Sequence, residues 1–143
     1  MGPDRTAAVH VIGLDHLVLT VDDVEASLDF YLGELGLTPV RVDEWRRGEV
    51  FFPSARVDAT TIIDLLQAPP GGRAEGRNVD HLCLVVEAQD LQALKDSGRF
   101  TVVDGPDLRF GAQGDGTSLY VLDPDGNVVE LRHYGPTGAG GQS

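Results

Sequence analysis

The sequence predicts an α+β fold made of two βαβββ modules within a chain of 143 residues. Two observations support this prediction. The segments LDHLVLTV (14–21) and VDHLCLVV (79–86) share Asp, His, two Leu and Val at matching places, and each alternates like a strand before a helical pattern. Further strand-like segments then follow in each half, so the chain repeats itself.

The first module begins with the strand at 14–21 and continues into a helix in DDVEASLDFYLGELG. Asp22 can cap this helix, with Glu25 three residues further on, and Gly36 can end it. Its apolar stripe consists of Val24, Leu28, Tyr31, Leu32 and Leu35. Three predicted strands follow, in TPVRVDEW, EVFFPSA and TTIIDLLQ.

The second module has the same order of elements. A shorter helix in AQDLQALKDSG has Leu91 and Leu94 as its stripe and ends at Gly98, and predicted strands follow in FTVVDG, TSLYVLD and NVVELRHY. Between the modules, APPGGRAEGRN has the composition of a linker. The predicted divisions are module 1 at about 9–68, a linker at about 69–77, module 2 at about 78–134 and a flexible tail at 135–143.

Composition excludes several function classes. The formal charge of −12 argues against a nucleic-acid or anionic-membrane surface, because binding phosphate requires Lys and Arg. The single cysteine, Cys83, excludes an intrachain disulfide framework and suits a reducing compartment. No apolar run approaches the ~18 residues of a membrane span, and the start MGPDRTAAVHV has no long apolar region of a secretory signal. We therefore expect a cytoplasmic protein.

The repeat identifies four residues of possible chemical importance. Superposing the halves pairs His16 with His81, at an offset of 65 residues, and pairs Asp64 with Glu130, at an offset of 66. Glu130 lies in an apolar strand segment, where a carboxylate is costly unless it is paired or bound to a metal. All four residues have the strand parity opposite to the apolar positions that should contact the helices. If the two sheets curl toward each other, these side chains converge on one concave surface.

Two imidazoles and one or two carboxylates suit one divalent transition metal, with Zn, Ni, Co, Mn and Fe as the choices. Three or four protein ligands leave open positions for water or a small-molecule substrate, which a catalytic site requires. Asp64 is one methylene shorter than Glu130. The alternative for Asp64 is therefore a contact through water, which would leave a triad of two histidines and one carboxylate.

The stretches at 15–37, 79–86 and 116–134, the last of which contains DPDGN, resemble the vicinal oxygen chelate superfamily of glyoxalases, bleomycin-resistance proteins and extradiol dioxygenases. The resemblance implies a curved, pseudo-twofold mixed sheet around a concave cleft, with helices outside, and often a homodimer. It implies that the metal ligands are His16, His81 and Glu130. Glyoxalase I-type members often have a glutamate where this chain has Asp64.

These residues favour a small metal-dependent enzyme, of lyase or isomerase type, that chelates vicinal oxygens of its substrate. Glu130 or Asp64 could leave the metal and act as the general base next to a carbonyl. One alternative is an extradiol-type, ring-cleaving dioxygenase with Fe(II). Another is a metal-independent drug- or metabolite-binding protein of the bleomycin-resistance type. Arg41, Arg56 and Arg109 are further candidates for binding an anionic substrate group.

Overall fold

The computed structural model describes residues 6–72, 78–122 and 126–135. Part of the predicted linker (73–77), three residues of the DPDGN turn (123–125) and all but the first residue of the predicted tail lie outside these ranges. The described strands form an eight-stranded mixed sheet with few helices, in the order β2-β3-β4-β1-β5-β8-β7-β6. The predicted α+β class is therefore confirmed.

The bounds of the elements agree with most of the sequence predictions. The strands are β1 (Val11–Val21), β2 (Thr38–Val40), β3 (Ser54–Asp58), β4 (Thr61–Gln67), β5 (Val79–Val86), β6 (Thr101–Gly111), β7 (Gly114–Leu122) and β8 (Val128–His133). The α-helices are α1 (Val24–Leu28), α2 (Val42–Arg46) and α3 (Leu91–Asp96), and a π-helical segment at Asp29–Glu34 extends α1. None of the helices in the described ranges is long and apolar enough to cross a bilayer.

The chain divides into two compact units. Unit A contains Asp15–Leu82 and Gly111–Gln113, and unit B contains Met1–Leu14, Cys83–Phe110 and Gly114–Ser143. Strands β1 and β5 each contribute residues to both units.

In unit A, β4 pairs in parallel with β1 and antiparallel with β3, and β2 pairs antiparallel with β3. Alternate strand residues face the helices, as the strand parity predicts. The buried core cluster consists of Val24, Leu28, Val42 and Leu65, and the residues packed against it include Leu19, Val21 and Ile63. The opposite face of the same strands therefore carries His16 and Asp64.

In unit B, β7 and β8 form an antiparallel pair in which Tyr120 lies opposite Glu130. The core cluster consists of Val86, Leu91, Leu94, Leu119, Val121 and Leu131, with Leu84 and Val129 partly buried against it. These strand residues have the helix-facing parity that the sequence predicts. Glu130 and its strand neighbours at i±2 lie on the other face.

Three local predictions were wrong. Of the strand predicted in EVFFPSA, only Ser54 and Ala55 lie in β3. The cap of α1 is Asp23, whose extended backbone lets its side chain accept a hydrogen bond from the backbone N–H of Ala26 at 3.2 Å, so Asp22 is one residue too early. The strand predicted in TPVRVDEW stops at Val40. The reason is Arg41, which adopts a left-handed conformation (φ 59°) and leads into α2.

Candidate functional site

The histidine on β1 is held by the aspartate that precedes it. His16 and Asp15 are both buried, and Nδ1 of His16 lies 2.7 Å from Oδ2 of Asp15. Because an ionised carboxylate can only accept a hydrogen bond, the imidazole donates from Nδ1 and keeps the lone pair on Nε2. Carboxylates orient metal-binding histidines in proteins in this way.

Asp15 is itself fixed by a segment distant in sequence. Its Oδ2 accepts a hydrogen bond from the backbone N–H of Ala112 at 2.9 Å. The carbonyl oxygen of Ala112 accepts one from Nη2 of Arg56 at 2.8 Å, and Nη1 of Arg56 donates to the carbonyls of Asp58 and Ala59. Arg56 therefore anchors the backbone that positions Asp15, a structural use of a residue that was a candidate for anion binding.

The histidine on β5 repeats the arrangement nearer the surface. Nδ1 of His81 lies 2.8 Å from Oδ2 of Asp80, and the two side chains are 15% and 47% exposed. The hydrogen bond from His81 lowers the pKa of the Asp80 carboxyl and outweighs the opposing effect of burial. The ring centroids of His16 and His81 are 5.4 Å apart, with the planes at 83°. Unit A thus brings together both predicted histidines, each with Nδ1 occupied by a carboxylate.

Asp64 shares this face of unit A. In the parallel pair of β1 and β4, Asp64 lies opposite Val18, two residues from His16. Its Oδ2 is 3.8 Å from Nε2 of His16, which is longer than a hydrogen bond. Its Oδ1 accepts a short hydrogen bond from Oγ of Ser54. Burial raises the pKa of the Asp64 carboxyl, against the opposing effects of His16, Ser54, His81 and Arg41.

The side chains of His16, His81 and Asp64 are of the chemical types that bind a divalent transition metal. They offer Nε2 atoms of two imidazoles and a carboxylate oxygen, the combination of borderline and hard ligands that such ions bind. The 3.8 Å between Nε2 of His16 and Oδ2 of Asp64 can be spanned by one cation at about 2.0–2.2 Å from each atom. This separation suits a shared cation better than a direct hydrogen bond.

The fourth predicted residue, Glu130, is buried in unit B beside a buried cation. Its Oε2 accepts hydrogen bonds from Oγ of Ser118 at 2.6 Å and from Nη2 of Arg132 at 3.1 Å. Arg132 is 0% exposed and Glu130 is 1% exposed. The charge of Glu130 is therefore balanced within its own strand, by a residue two positions further on that shares its face. The ELR spacing in the sequence was the signal for this pair.

The guanidinium of Arg132 is fully engaged. Burial acts to lower the pKa of Arg132, but the charges of Glu130, Cys83 and Tyr134 together with the hydrogen bond to Tyr134 outweigh it, and the pKa rises. The pKa of Tyr120 is also raised well above its ordinary value, by burial and then by the charge and hydrogen bond of Glu130. Besides Glu130, Arg132 donates hydrogen bonds to Oγ of Ser118, the hydroxyl of Tyr134 and the carbonyls of Arg109, Phe110 and Gly114.

Two other arginines from the sequence analysis have different surroundings. Arg109 forms ion pairs with Asp104 at 3.2 Å and Asp107 at 3.5 Å. The guanidinium of Arg41 lies over the ring of Phe52, 5.0 Å from its centroid, and its charge acts on Asp64. Of the three candidates, Arg41 alone is shown to act electrostatically on a predicted site residue.

Sequence reasoning missed the residues that support the four predicted ones. These are two aspartates, two serines and an arginine: Asp15, Asp80, Ser54, Ser118 and Arg132. The aspartates had a signal in the sequence, since the dipeptide Asp-His occurs at the same place in both repeats. The serines had none, because a serine contacts the carboxylate only once the strands are paired.

Comparison with known proteins identifies the family of the chain. The profile of the Glyoxalase/Bleomycin resistance protein/Dioxygenase superfamily matches residues 13–131. The chain belongs to this superfamily. The resemblance inferred from the sequence is thereby confirmed at the level of the family.

Two relatives are similar to this superfamily member over most of its length. Virulence protein STM3117 of Salmonella typhimurium is 30% identical over 123 residues, which cover 85% of this chain and 83% of the relative. The glyoxalase domain-containing protein RDO1 of Mycosarcoma maydis is 34% identical over 131 residues, which cover 87% of this chain and 69% of the relative.

Solved structures show the same fold at lower identity. Methylmalonyl-CoA epimerase from Mycobacterium tuberculosis is 20% identical with a TM-score of 0.60, and 94% of each chain is covered. The Mn(II)-bound glyoxalase from Novosphingobium aromaticivorans is 18% identical with a TM-score of 0.61, covering 87% of this chain and 40% of that one. The 2,3-dioxygenase LapB from Pseudomonas sp. KL28 is 19% identical with a TM-score of 0.62, covering 86% and 42%.

Proposed function

We propose that this superfamily member is a divalent-metal-dependent enzyme of lyase or isomerase type. The observation that carries the proposal is the pair of aspartate-held histidines in unit A, at 2.7 Å and 2.8 Å, with ring centroids 5.4 Å apart. A histidine that only fills a core does not require its Nδ1 to be fixed by a carboxylate, and a metal ligand commonly has this support. The same support occurs in both repeats.

The proposed ligands are His16, His81 and Glu130, with Asp64 as the fourth ligand or as a base. Glu130 is included because the family resemblance implies it. Ser118 and Arg132 hold the carboxylate of Glu130 in one orientation. Convergence of Glu130 with the histidines is part of the proposal.

When bound, a divalent cation supplies Lewis-acid polarisation of two neighbouring substrate oxygens. Side chains of this protein would hold the cation and move the proton. His16 and His81 bind through Nε2 while Asp15 and Asp80 keep their rings oriented. Asp64 is the first choice for the general base that removes a proton next to a carbonyl, because burial makes its carboxylate more basic than an exposed one.

The first test is metal content, measured by elemental mass spectrometry on tag-free protein after incubation with Zn, Ni, Co, Mn or Fe(II). We expect about one ion per chain, lost in His81→Ala and Glu130→Gln. His10→Ala is the matched control, because His10 is exposed and pairs only loosely with Glu87 at 3.4 Å. Protein that stays metal-free under all five conditions would contradict the proposal.

The second test identifies the reaction class. Metal-loaded protein is assayed with hemithioacetals, 2-substituted acyl thioesters and catechols, each before and after chelation. Proton transfer on either of the first two classes supports the lyase or isomerase proposal. Ring cleavage of a catechol, with Fe(II) only, would replace it with the dioxygenase alternative. Unchanged binding of a ligand after chelation would instead favour the sequestration alternative.

The proposal includes a homodimer. The strand order ends at β2 and β6, and exposed edge strands are often covered by a second chain. Light scattering after size-exclusion chromatography should give twice the 15.3 kDa mass of the chain. A single species at the monomer mass over the whole concentration range would exclude the dimer and leave the metal proposal untouched.

A further inference from the structure

Unit B has a cavity on the helix side of its strands. Its volume is about 550 Å³, within the range of small-molecule sites. The floor consists of apolar side chains from β5, β7 and β8, among them Leu84, Val129 and Leu131. Phe100 lies at the side, just before β6. This surface does not include any of the proposed metal ligands.

The helix that packs beside this cavity is short. In unit B, α3 has six residues and buries Leu91 and Leu94 against the strands. In unit A, α1 continues through the π-helical segment to Glu34, and this longer element covers the equivalent strand face. Leu84 and Val129 are partly buried on this face of unit B.

The rim of the cavity carries a positive charge. Arg99 is the one charged side chain among the described residues that line it. Its Nη2 donates a hydrogen bond to the carbonyl of Thr6 at 3.3 Å, and within the described ranges Arg99 forms no ion pair. In a chain with a formal charge of −12, this guanidinium makes the rim complementary to an anion.

We propose that this cavity binds a single-chain aliphatic carboxylate, with the chain on the apolar floor and the carboxylate on the guanidinium of Arg99. The floor excludes a polar chain, because its polar groups would be buried without hydrogen-bond partners. A guanidinium matches a carboxylate through two parallel N–H donors. The site is separate from the proposed metal centre and does not depend on it.

Isothermal titration calorimetry with octanoate and decanoate, on the full chain treated with EDTA, tests the proposal. We expect one site per chain and a Kd about tenfold lower for decanoate, since each buried methylene tightens binding by up to about fourfold. Arg99→Gln should weaken decanoate binding about tenfold or more. Arg47→Gln is the matched control, because it removes the same charge from an exposed arginine that pairs with Glu49 in unit A.

Three binding results would overturn the proposal. They are no binding of decanoate to the wild type, equal binding by wild type and Arg99→Gln, and equal binding of decyltrimethylammonium. A self-association that Arg99→Gln abolishes and that decanoate does not affect would also overturn it, because a second copy would then occupy the cavity. None of these results bears on the metal proposal, since the protein is metal-free throughout.

Discussion

Asp64 and Glu130 occupy equivalent places in the two repeats, but their surroundings differ. Both carboxylates are buried, and each accepts a hydrogen bond from a serine on the preceding strand, Ser54 or Ser118. In unit B, Arg132 supplies a buried cation two residues after Glu130. In unit A the residue at that spacing is Leu66, and the charges that act on Asp64 come from His16, His81 and Arg41.

This difference shows that the burial of a carboxylate does not by itself indicate a metal site. The burial of Glu130, which led to the metal hypothesis at the level of sequence, is explained within unit B by Arg132. Support for a metal comes instead from unit A, where two imidazoles with fixed Nδ1 atoms and a carboxylate of raised pKa share one face. A buried acid in a strand is thus weaker support for a metal than a histidine whose second nitrogen is held.

The largest expected effect comes from breaking the buried pair of unit B. Arg132→Met should lower the free energy of unfolding by about 3–5 kcal/mol, because it leaves the Glu130 carboxylate buried without its cation. Urea unfolding at neutral pH measures this loss. Glu130→Gln combined with Arg132→Met should recover part of it, and Arg47→Gln, at an exposed ion pair, should leave the free energy of unfolding nearly unchanged. A loss below about 1 kcal/mol in Arg132→Met would show that the pair of Glu130 and Arg132 does not stabilise the folded chain.

Replacing the two serines should also destabilise unit B more than unit A. Ser118→Ala removes a contact to both Glu130 and Arg132, so we expect a loss of about 2–3 kcal/mol in the free energy of unfolding. Ser54→Ala removes one hydrogen bond to Asp64 and should cost about 1–2 kcal/mol. Thermal unfolding of both variants under the same conditions makes the comparison. Equal losses would mean that Arg132 does not distinguish the two sites.

Removing the two aspartates that hold the histidines should weaken metal binding to different extents. Asp15→Ala should weaken binding by about 10–100-fold, because the buried His16 ring loses the carboxylate on its Nδ1 and the backbone N–H of Ala112 loses an acceptor. Asp80→Ala should have a smaller effect, about tenfold or less, because water can replace a half-exposed carboxylate at His81. Competition with a chromophoric chelator measures both. The exposed Asp96→Ala serves as control, and a larger effect at Asp80 than at Asp15 would reverse the proposed order.

The smallest expected effects concern the helix caps of the two units. Asp23 and Asp90 each accept a hydrogen bond from the backbone N–H three residues on, at 3.2 Å and 3.0 Å. Asp23→Ala and Asp90→Ala should each lower the free energy of unfolding by about 1 kcal/mol. Chemical denaturation of the two single variants and the double variant tests this, and the losses should add because the helices lie in different units. A change below about 0.3 kcal/mol would exclude Asp23 as the cap of α1.

Local patterns in the sequence predicted much of the fold. The repeated LDHLVLTV and VDHLCLVV predicted β1 and β5, and the period-two alternation identified the faces that meet the helices, as Leu19, Val21, Leu84 and Val129 confirm. Irregular backbone was harder to predict. Nothing in TPVRVDEW signals that Arg41 adopts a left-handed conformation and ends β2, because arginine disfavours that region and only its surroundings keep it there.

The sequence by itself determined the repeat, the family, the two histidines and the matched carboxylates, because these depend on spacing and alternation along a single strand. Only the tertiary structure decided what surrounds them. Ala112 reaches Asp15 across 97 residues, and Ser118 reaches Glu130 from a paired strand. Such contacts depend on strand register and loop closure, to which no local pattern is sensitive. The environment of each carboxylate, and with it the difference between the two repeats, is therefore a property of the folded chain.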